Sequence, residues 1–167
     1  MEKIFSDDEI KRKYIASPSA IKHHQDYKFG NLEHTIGMLI IFEQYVNFYN
    51  RSTLLDVDLI FTGIILHDIG KIEEYKLHNG IIKRTNEGKL YGHLILGDRL
   101  ISKYIEDIED FPKDLENRIR HLILSHHGKK EWGAIVEPLF GEAEILHYLD
   151  MIDSRFKLNF RPDQWEP

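Results

Sequence analysis

The segment from His67 to Lys71 reads His-Asp-Ile-Gly-Lys and places two metal-capable side chains and an ammonium group at the end of an apolar run. Because the preceding residues 59–66 are almost all apolar, we predict that this end of the run is buried. A buried carboxylate costs free energy unless it pairs with a charge or binds a metal ion. We therefore predict that His67 and Asp68 are metal ligands. Lys71 is predicted to contact a phosphate, with Gly70 letting the chain turn sharply between them.

Other histidines and aspartates lie on the apolar stripes of helices along the chain, so their side chains should also point inward and need partners there. A helical bundle whose helices contribute inward imidazoles or carboxylates is a known way to build a metal site. Such ligands, without sulfur, suit Mn, Fe, Co, Ni, Zn or Mg. These candidate ligands of one or two divalent ions are His34, His67, Asp68, His93, His126 with His127 beside it, His147 and Asp150. His126 is preferred over His127 because His126 lies on the stripe.

Five main helices must position these side chains, and their apolar periodicity predicts an all-α bundle. Asn31 is the expected N-cap of the first main helix and Asp56 that of the second. The first is apolar over most of its circumference, which predicts a central position. An Asn79-Gly80 turn between apolar residues predicts a small β-hairpin near residues 77–85. The predicted ranges are 7–14 for a short helix and 31–49, 57–67, 90–108, 113–127 and 141–158 for the main helices.

Composition limits the compartment and the partners. The 167 residues suffice for one domain and contain no cysteine, which excludes disulfides, thiolate metal sites and cysteine nucleophiles. The N-terminus lacks the apolar core of a signal peptide, and no apolar run is long enough to span a membrane, so we predict a cytoplasmic protein. The net charge of −6 argues against a surface built for long nucleic acid, although it allows a local basic rim.

The order of these residues is similar to a known family pattern. His34, then His67-Asp68, then Asp150 resembles the H…HD…D signature of the HD superfamily of metal-dependent phosphohydrolases, and its binuclear members have two extra histidines, here His93 and His126. The sequence around these residues resembles more closely the catalytic HD domain of the YhaM family of 3′–5′ exoribonucleases. The segments that carry this resemblance are 32–35, 65–71, 87–93, 123–129 and 142–150, within a similar region of about 22–155.

The resemblance implies an HD-domain fold and hydrolysis of a phosphoester by a metal-bound hydroxide. It implies that Asp68 bridges two metals and that His93 and His126 hold the second. His34, His67 and Asp150 would complete the first metal site. Lys71 and Arg155, with His127, are the expected substrate-binding residues, and Lys71 acts with Asp68 in catalysis by offsetting charge in the transition state.

The YhaM-type exoribonucleases carry an OB-fold ahead of the HD domain, and OB-folds bind single strands. Here only about twenty residues precede the similar region. We therefore expect a single HD domain over residues 1–167, with a core of about 22–158 and no OB-fold, acting on nucleotides or short oligonucleotides. Two alternatives stay open: a mononuclear 5′-nucleotidase that uses His93 and His126 on the phosphate, and a non-catalytic nucleotide-binding module. The oligomeric state is also open.

Overall fold

The computed structural model describes residues 1–19, 28–49, 55–78 and 81–159. The predicted turn at Asn79-Gly80 lies outside these ranges, as does Lys22, the expected first residue of the HD core. None of the helices in the described ranges combines the length and the hydropathy that a bilayer span requires.

Helices dominate the structure, and the sheet of the described ranges is a two-stranded antiparallel hairpin. The prediction of an all-α bundle with a small hairpin is therefore confirmed. A 3-10 helix, Lys130–Trp132, precedes the last α-helix. The elements are α1 (Glu2–Phe5), α2 (Asp8–Ala16), α3 (Gly30–Tyr49), α4 (Val57–Leu66), α5 (Lys71–Glu74), β1 (Tyr75–His78), β2 (Ile81–Arg84), α6 (Asn86–Glu106), α7 (Lys113–Ser125) and α8 (Gly141–Asn159).

Side-chain caps explain where several helices begin. Asp56 accepts a hydrogen bond from the backbone N–H of Leu59 at 2.9 Å, as an N-cap should, so its predicted role is confirmed. Thr85 caps α6 in the same way. This helix therefore begins at Asn86, whereas the predicted start was Leu90. The prediction that Asn31 is an N-cap is wrong, because α3 begins at Gly30 and Asn31 is buried within its first turn.

Helix α4 lies at the centre of the bundle. Ile60 and Ile64 are fully buried, and α4 contacts α3, α7 and α8. Gly63 lets the neighbouring helices approach closely, because a Cβ at this position would lie 2.8 Å from the Leu122 side chain of α7. The central position predicted for α3 is wrong: its Ile36 and Ile40 are 46% and 55% exposed. The apolar residues of α3 extend around the helix to a side that no described element covers.

Helix α6 packs closely against the residues that follow α4. Residues 67–70 form a turn between α4 and α5, but Gly70 has an ordinary right-handed helical backbone, with φ −64° and ψ −14°. The turn therefore does not use the conformational freedom of glycine, contrary to the sequence interpretation. The function of Gly70 in packing is steric: a Cβ on Gly70 would overlap the carbonyl oxygen of His93 on α6. The absence of a side chain at Gly70 therefore brings His93 toward the His67-Asp68 pair.

Candidate metal centre

His34 lies on the second turn of α3, where α8 supplies two carboxylates to its ring. The Nδ1 atom of His34 lies 2.7 Å from Oδ2 of Asp153, and its Nε2 atom lies 3.2 Å from Oδ1 of Asp150. Burial alone would lower the pKa of His34, but the hydrogen bonds to Asp150 and Asp153 outweigh it and raise the pKa to about 9. Asp153 and Asp150 are three residues apart, so they lie on the same face of α8.

His67 and His126 each follow directly after the last residue of a helix, α4 and α7 respectively. The Nδ1 atom of each ring lies 2.9 Å from the carbonyl oxygen three residues earlier, Ile64 for His67 and Ile123 for His126. A carbonyl oxygen can only accept, so Nδ1 donates and Nε2 is the ring atom that faces inward. The C-terminal end of a helix also favours a positive charge nearby. Both sites are therefore prepared for a cation.

Asp68 lies between these rings and is almost fully buried. Its Oδ1 atom is 3.5 Å from Nε2 of His93 and 3.8 Å from Nε2 of His126, while its Oδ2 atom is 3.2 Å from Nε2 of His67. Lys71 Nζ lies 2.5 Å from the same Oδ2. Burial would raise the pKa of Asp68, but Lys71 and then His67 hold it well below its usual range. Asp68 is therefore an anion in contact with three ring nitrogens and one ammonium.

His93 and His127 form a further pair of rings that contact each other. The Nε2 atoms of these two rings lie 3.2 Å apart, and the Nδ1 atom of His93 is 3.0 Å from Oε2 of Glu74. Glu74 is itself held by Arg84, whose Nε lies 3.0 Å from Oε1. Burial, followed by the charge of His93, lowers the pKa of His127 to about 4. Burial also lowers the pKa of His126, so these rings favour the neutral form that binds metals.

The seven side chains that meet here are called the cluster below. They are His34, His67, Asp68, His93, His126, His127 and Asp150. The ligand atoms form three overlapping groups, each with its atoms within 4.8 Å of one another: His34, His67, Asp150; His67, Asp68, His126; and His93, His126, His127.

The donor set fits divalent metal ions. Within the described ranges, Nε2 of His67 and Oδ1 of Asp68 are buried without a hydrogen-bond partner, which is costly unless a cation binds them. Imidazole and carboxylate ligands without sulfur suit Mn, Fe, Co, Ni, Zn or Mg. All six predicted ligands belong to the cluster, and His127 joins them, so the choice between His126 and His127 stays open.

Two of the predicted substrate-binding residues, Lys71 and Arg155, lie in different environments. Lys71 is 9% exposed and touches Asp68, whereas Arg155 is exposed on α8. Five residues separate Arg155 from Asp150, which corresponds to about 140° around a helix, so the two do not share a face. The roles assigned to Lys71, Arg155 and His127 in substrate binding stay predictions.

Sequence reasoning missed Asp153 and Glu74, which orient the rings of His34 and His93. A signal for Asp153 was available, because it lies one turn after Asp150 on the same face of a helix. Glu74 gave no such signal, since it follows another glutamate and precedes Tyr75-Lys76, a stretch typical of a solvated surface.

These features define a helical domain with a buried cluster of histidine and aspartate. The family model of the HD domain matches residues 31–155, and the chain belongs to the HD domain family. The predicted family is thereby confirmed.

Proteins with a similar sequence include 3′–5′ exoribonucleases called YhaM. The protein from Shouchella clausii is 38% identical over 147 residues, which cover 87% of this chain and 44% of the relative. The one from Bacillus subtilis is 36% identical over 147 residues, covering 87% and 45%. The chain thus spans less than half the length of these relatives. No solved structure matches this chain.

Proposed function

We propose that this chain is a metal-dependent phosphohydrolase that cleaves phosphoester bonds of nucleotides or short oligonucleotides. The observation that carries the proposal is the set of three overlapping ligand groups around Asp68. Membership of the HD domain family and the similarity to exoribonucleases support the same class of reaction. The non-catalytic alternative is less well supported, because no position of the predicted ligand set has lost its imidazole or carboxylate.

Divalent ions bound here would supply a Lewis acid and lower the pKa of a coordinated water. The chain's own residues have separate tasks. Asp153 and Glu74 fix the ring orientation of His34 and His93 by accepting from Nδ1, which directs Nε2 toward the centre. Lys71 brings a buried ammonium to Asp68, where it can offset negative charge that develops on a phosphoryl group.

The arrangement of the ligands favours two bound ions, whereas a mononuclear 5′-nucleotidase would hold one. His34, His67 and Asp150 form one group of ligand atoms, and His93, His126 and His127 form another without sharing a residue with it. Asp68 lies between them and can contact both. We propose that His34, His67, Asp68 and Asp150 hold one ion and that Asp68, His93 and His126 hold a second, with His127 as a further ligand or a substrate contact.

The test is a substrate screen of the metal-loaded protein with elemental analysis of the same sample. Nucleoside monophosphates, cyclic nucleotides and oligoribonucleotides of increasing length would be compared. Asp68→Asn should lose metal and activity together. The matched control Asp58→Asn, at an exposed position of α4, should keep both. Activity in a metal-free sample, or no hydrolysis of any of these compounds by the fully loaded protein, contradicts the proposal.

A further inference from the structure

A groove of about 380 Å³ opens beside the cluster, within the size range of small-molecule sites. His93 and His127 belong both to the cluster and to the lining of this groove. Its lining includes an apolar and aromatic wall, formed by Leu90 and Tyr91 from α6 and Trp132 from the 3-10 helix. A molecule held at the cluster could therefore extend into the groove without a gap.

The break in α6 brings Tyr91 into this position. Gly92 has φ 69° and ψ 165°, which interrupts the helix between Tyr91 and His93. In an unbroken helix these two side chains would point about 160° apart, yet both line the groove. Among the described residues, a Cβ on Gly92 would meet no atom within 4 Å, so they leave this part of the wall open.

Trp132 is held in place from beneath. Its ring stacks on the buried ring of His147, with centroids 5.8 Å apart and an angle of 26° between the planes. The Nδ1 atom of His147 in turn lies 2.8 Å from the carbonyl oxygen of His126, which ties the aromatic wall to the cluster. Trp132 is nevertheless 46% exposed, and Tyr91 is 44% exposed. The guanidinium of Arg99 lies over the Tyr91 ring, 4.2 Å from its centroid. Two exposed aromatic rings, each with a neighbour packed on the ring, are typical of a stacking platform.

The charge of the groove differs from that of the chain. Arg84 and Lys89 line it, and Glu74 is the one acidic side chain among its described lining residues. Glu74 is buried and already engaged by Arg84 and His93. Because Arg84 is paired with Glu74, the unpaired positive charge of the lining comes from Lys89, and the lining has a net positive charge although the chain carries a net charge of −6. This combination of aromatic surface and cations suits an unpaired nucleotide, because the base can stack and the phosphodiester meets positive charge.

We infer that the groove between α6 and the 3-10 helix binds the nucleobase adjacent to the scissile phosphate, with Tyr91 and Trp132 as its specificity-determining contacts. This inference rests on the proposed function, since the cluster must hold the phosphate. It assigns the substrate class as an unpaired nucleoside phosphate. A phosphorylated sugar would occupy the cluster but leave the aromatic wall unused.

The kinetic test uses three dinucleoside monophosphates: one with both bases, one lacking the 5′ base and one lacking the 3′ base. Loss of the base that occupies the groove should lower kcat/KM by between about 5-fold and about 150-fold, the equivalent of one stacked base. Trp132→Ala and Tyr91→Ala should lower kcat/KM for the complete compound in the same range. They should leave the compound without that base unchanged.

Phe48→Ala is the matched control, because Phe48 is an aromatic residue that is 80% exposed and lies roughly 20 Å along α3 from His34. It should leave all three rates unchanged, and metal content should be equal in all variants. If Trp132→Ala and Tyr91→Ala cleave all three compounds like the unmodified chain, the inference is overturned. A uniform decrease for all three also overturns it, since that indicates a structural effect.

A binding experiment separates failure of the inference from failure of the proposed function. The chain has two tryptophans, so Trp165→Phe leaves Trp132 as the sole indole. Adenosine monophosphate should quench its fluorescence and ribose 5-phosphate should not, and Tyr91→Ala should weaken the binding of adenosine monophosphate. If quenching occurs without hydrolysis, the groove assignment holds and the hydrolase proposal fails. If hydrolysis occurs and both compounds bind equally without quenching, the groove assignment fails alone.

Discussion

Asp153 and Glu74 orient the rings of His34 and His93, although neither is expected to bind a metal. Each carboxylate lies within 3.0 Å of an Nδ1 atom and accepts its hydrogen bond, so Nε2 is the ring atom that faces the cluster. His67 and His126 obtain the same orientation from backbone carbonyls. The apolar stripes could therefore predict which side chains meet in the cluster, but the partners of Nδ1 depend on how helices pack and could not be predicted from spacing alone.

The first residue-scale prediction concerns Asp153. Asp153→Ala removes the acceptor from Nδ1 of His34, and we expect the metal affinity to fall by about 10- to 100-fold, as is usual for such partners. Asp153→Asn keeps an acceptor oxygen and should retain more of the affinity. Titration calorimetry with Mn²⁺ measures both. Glu144→Ala, at an exposed position of the same helix, is the control and should bind like the unmodified chain. Equal affinity in Asp153→Ala would exclude the positioning role.

The second concerns Lys71, whose ammonium lies against Asp68 in a nearly closed environment. We expect Lys71→Met to lower kcat by about 10²- to 10³-fold, the usual loss for one donor that stabilises the transition state. Metal affinity should stay the same or increase, because a cation that competes for the Asp68 carboxylate is removed. Lys76→Met changes an exposed lysine of β1 and should alter neither quantity. A Lys71→Met variant that loses metal but keeps its rate per bound ion would show that Lys71 supports the ligands.

At the scale of elements, apolar periodicity predicted the main helices because each buries one face, and the Asn79-Gly80 turn signal between apolar residues predicted the hairpin. Periodicity gave wrong predictions where the packing of the helices against one another determines burial or where a helix begins. Helix α3 looked central since its apolar residues extend around the axis, yet Ile36 and Ile40 are exposed and α4 is central. The start of α6 was missed because Gly88 and Gly92 are poor helix formers, while the Thr85 cap and the close packing of Gly88 against Glu74 compensate.

The element-scale prediction uses Gly70, where the segment after α4 touches α6. Gly70→Ala places a methyl group against the carbonyl oxygen of His93, so α6 must move away from Asp68. We expect the free energy of unfolding to fall by about 1–3 kcal/mol, as in other overpacked sites, and metal content to decrease. Gly141→Ala is the control, because among the described residues its Cβ would meet only the flexible end of Leu55, at the exposed start of α8. Denaturant unfolding and elemental analysis test both variants. A stable, fully loaded Gly70→Ala protein would contradict this account of the packing.

At the scale of the whole molecule, the cluster joins α3, α6 and α8 to the residues that follow α4 and α7. The interior of the bundle therefore contains several lone pairs and anionic oxygens that face one another. Hydrophobic contacts such as those of Ile60 and Ile64 must outweigh this cost in the metal-free protein. A bound cation removes it, so metal binding and folding should be strongly coupled.

The prediction that follows is a large thermal effect of metal. An ion that binds the folded chain and is present at 100 times its Kd stabilises it by about 2.7 kcal/mol, which for a chain of this size raises Tm by about 5–11 °C. Scanning calorimetry with Mn²⁺ and then with excess chelator measures the shift and its reversal. Asp68→Asn should show almost none of it, whereas Asp58→Asn should show all of it, because Asp58 is exposed and lies outside the cluster. If Tm were the same with Mn²⁺ and with chelator, the buried lone pairs of His67 and Asp68 would require another partner.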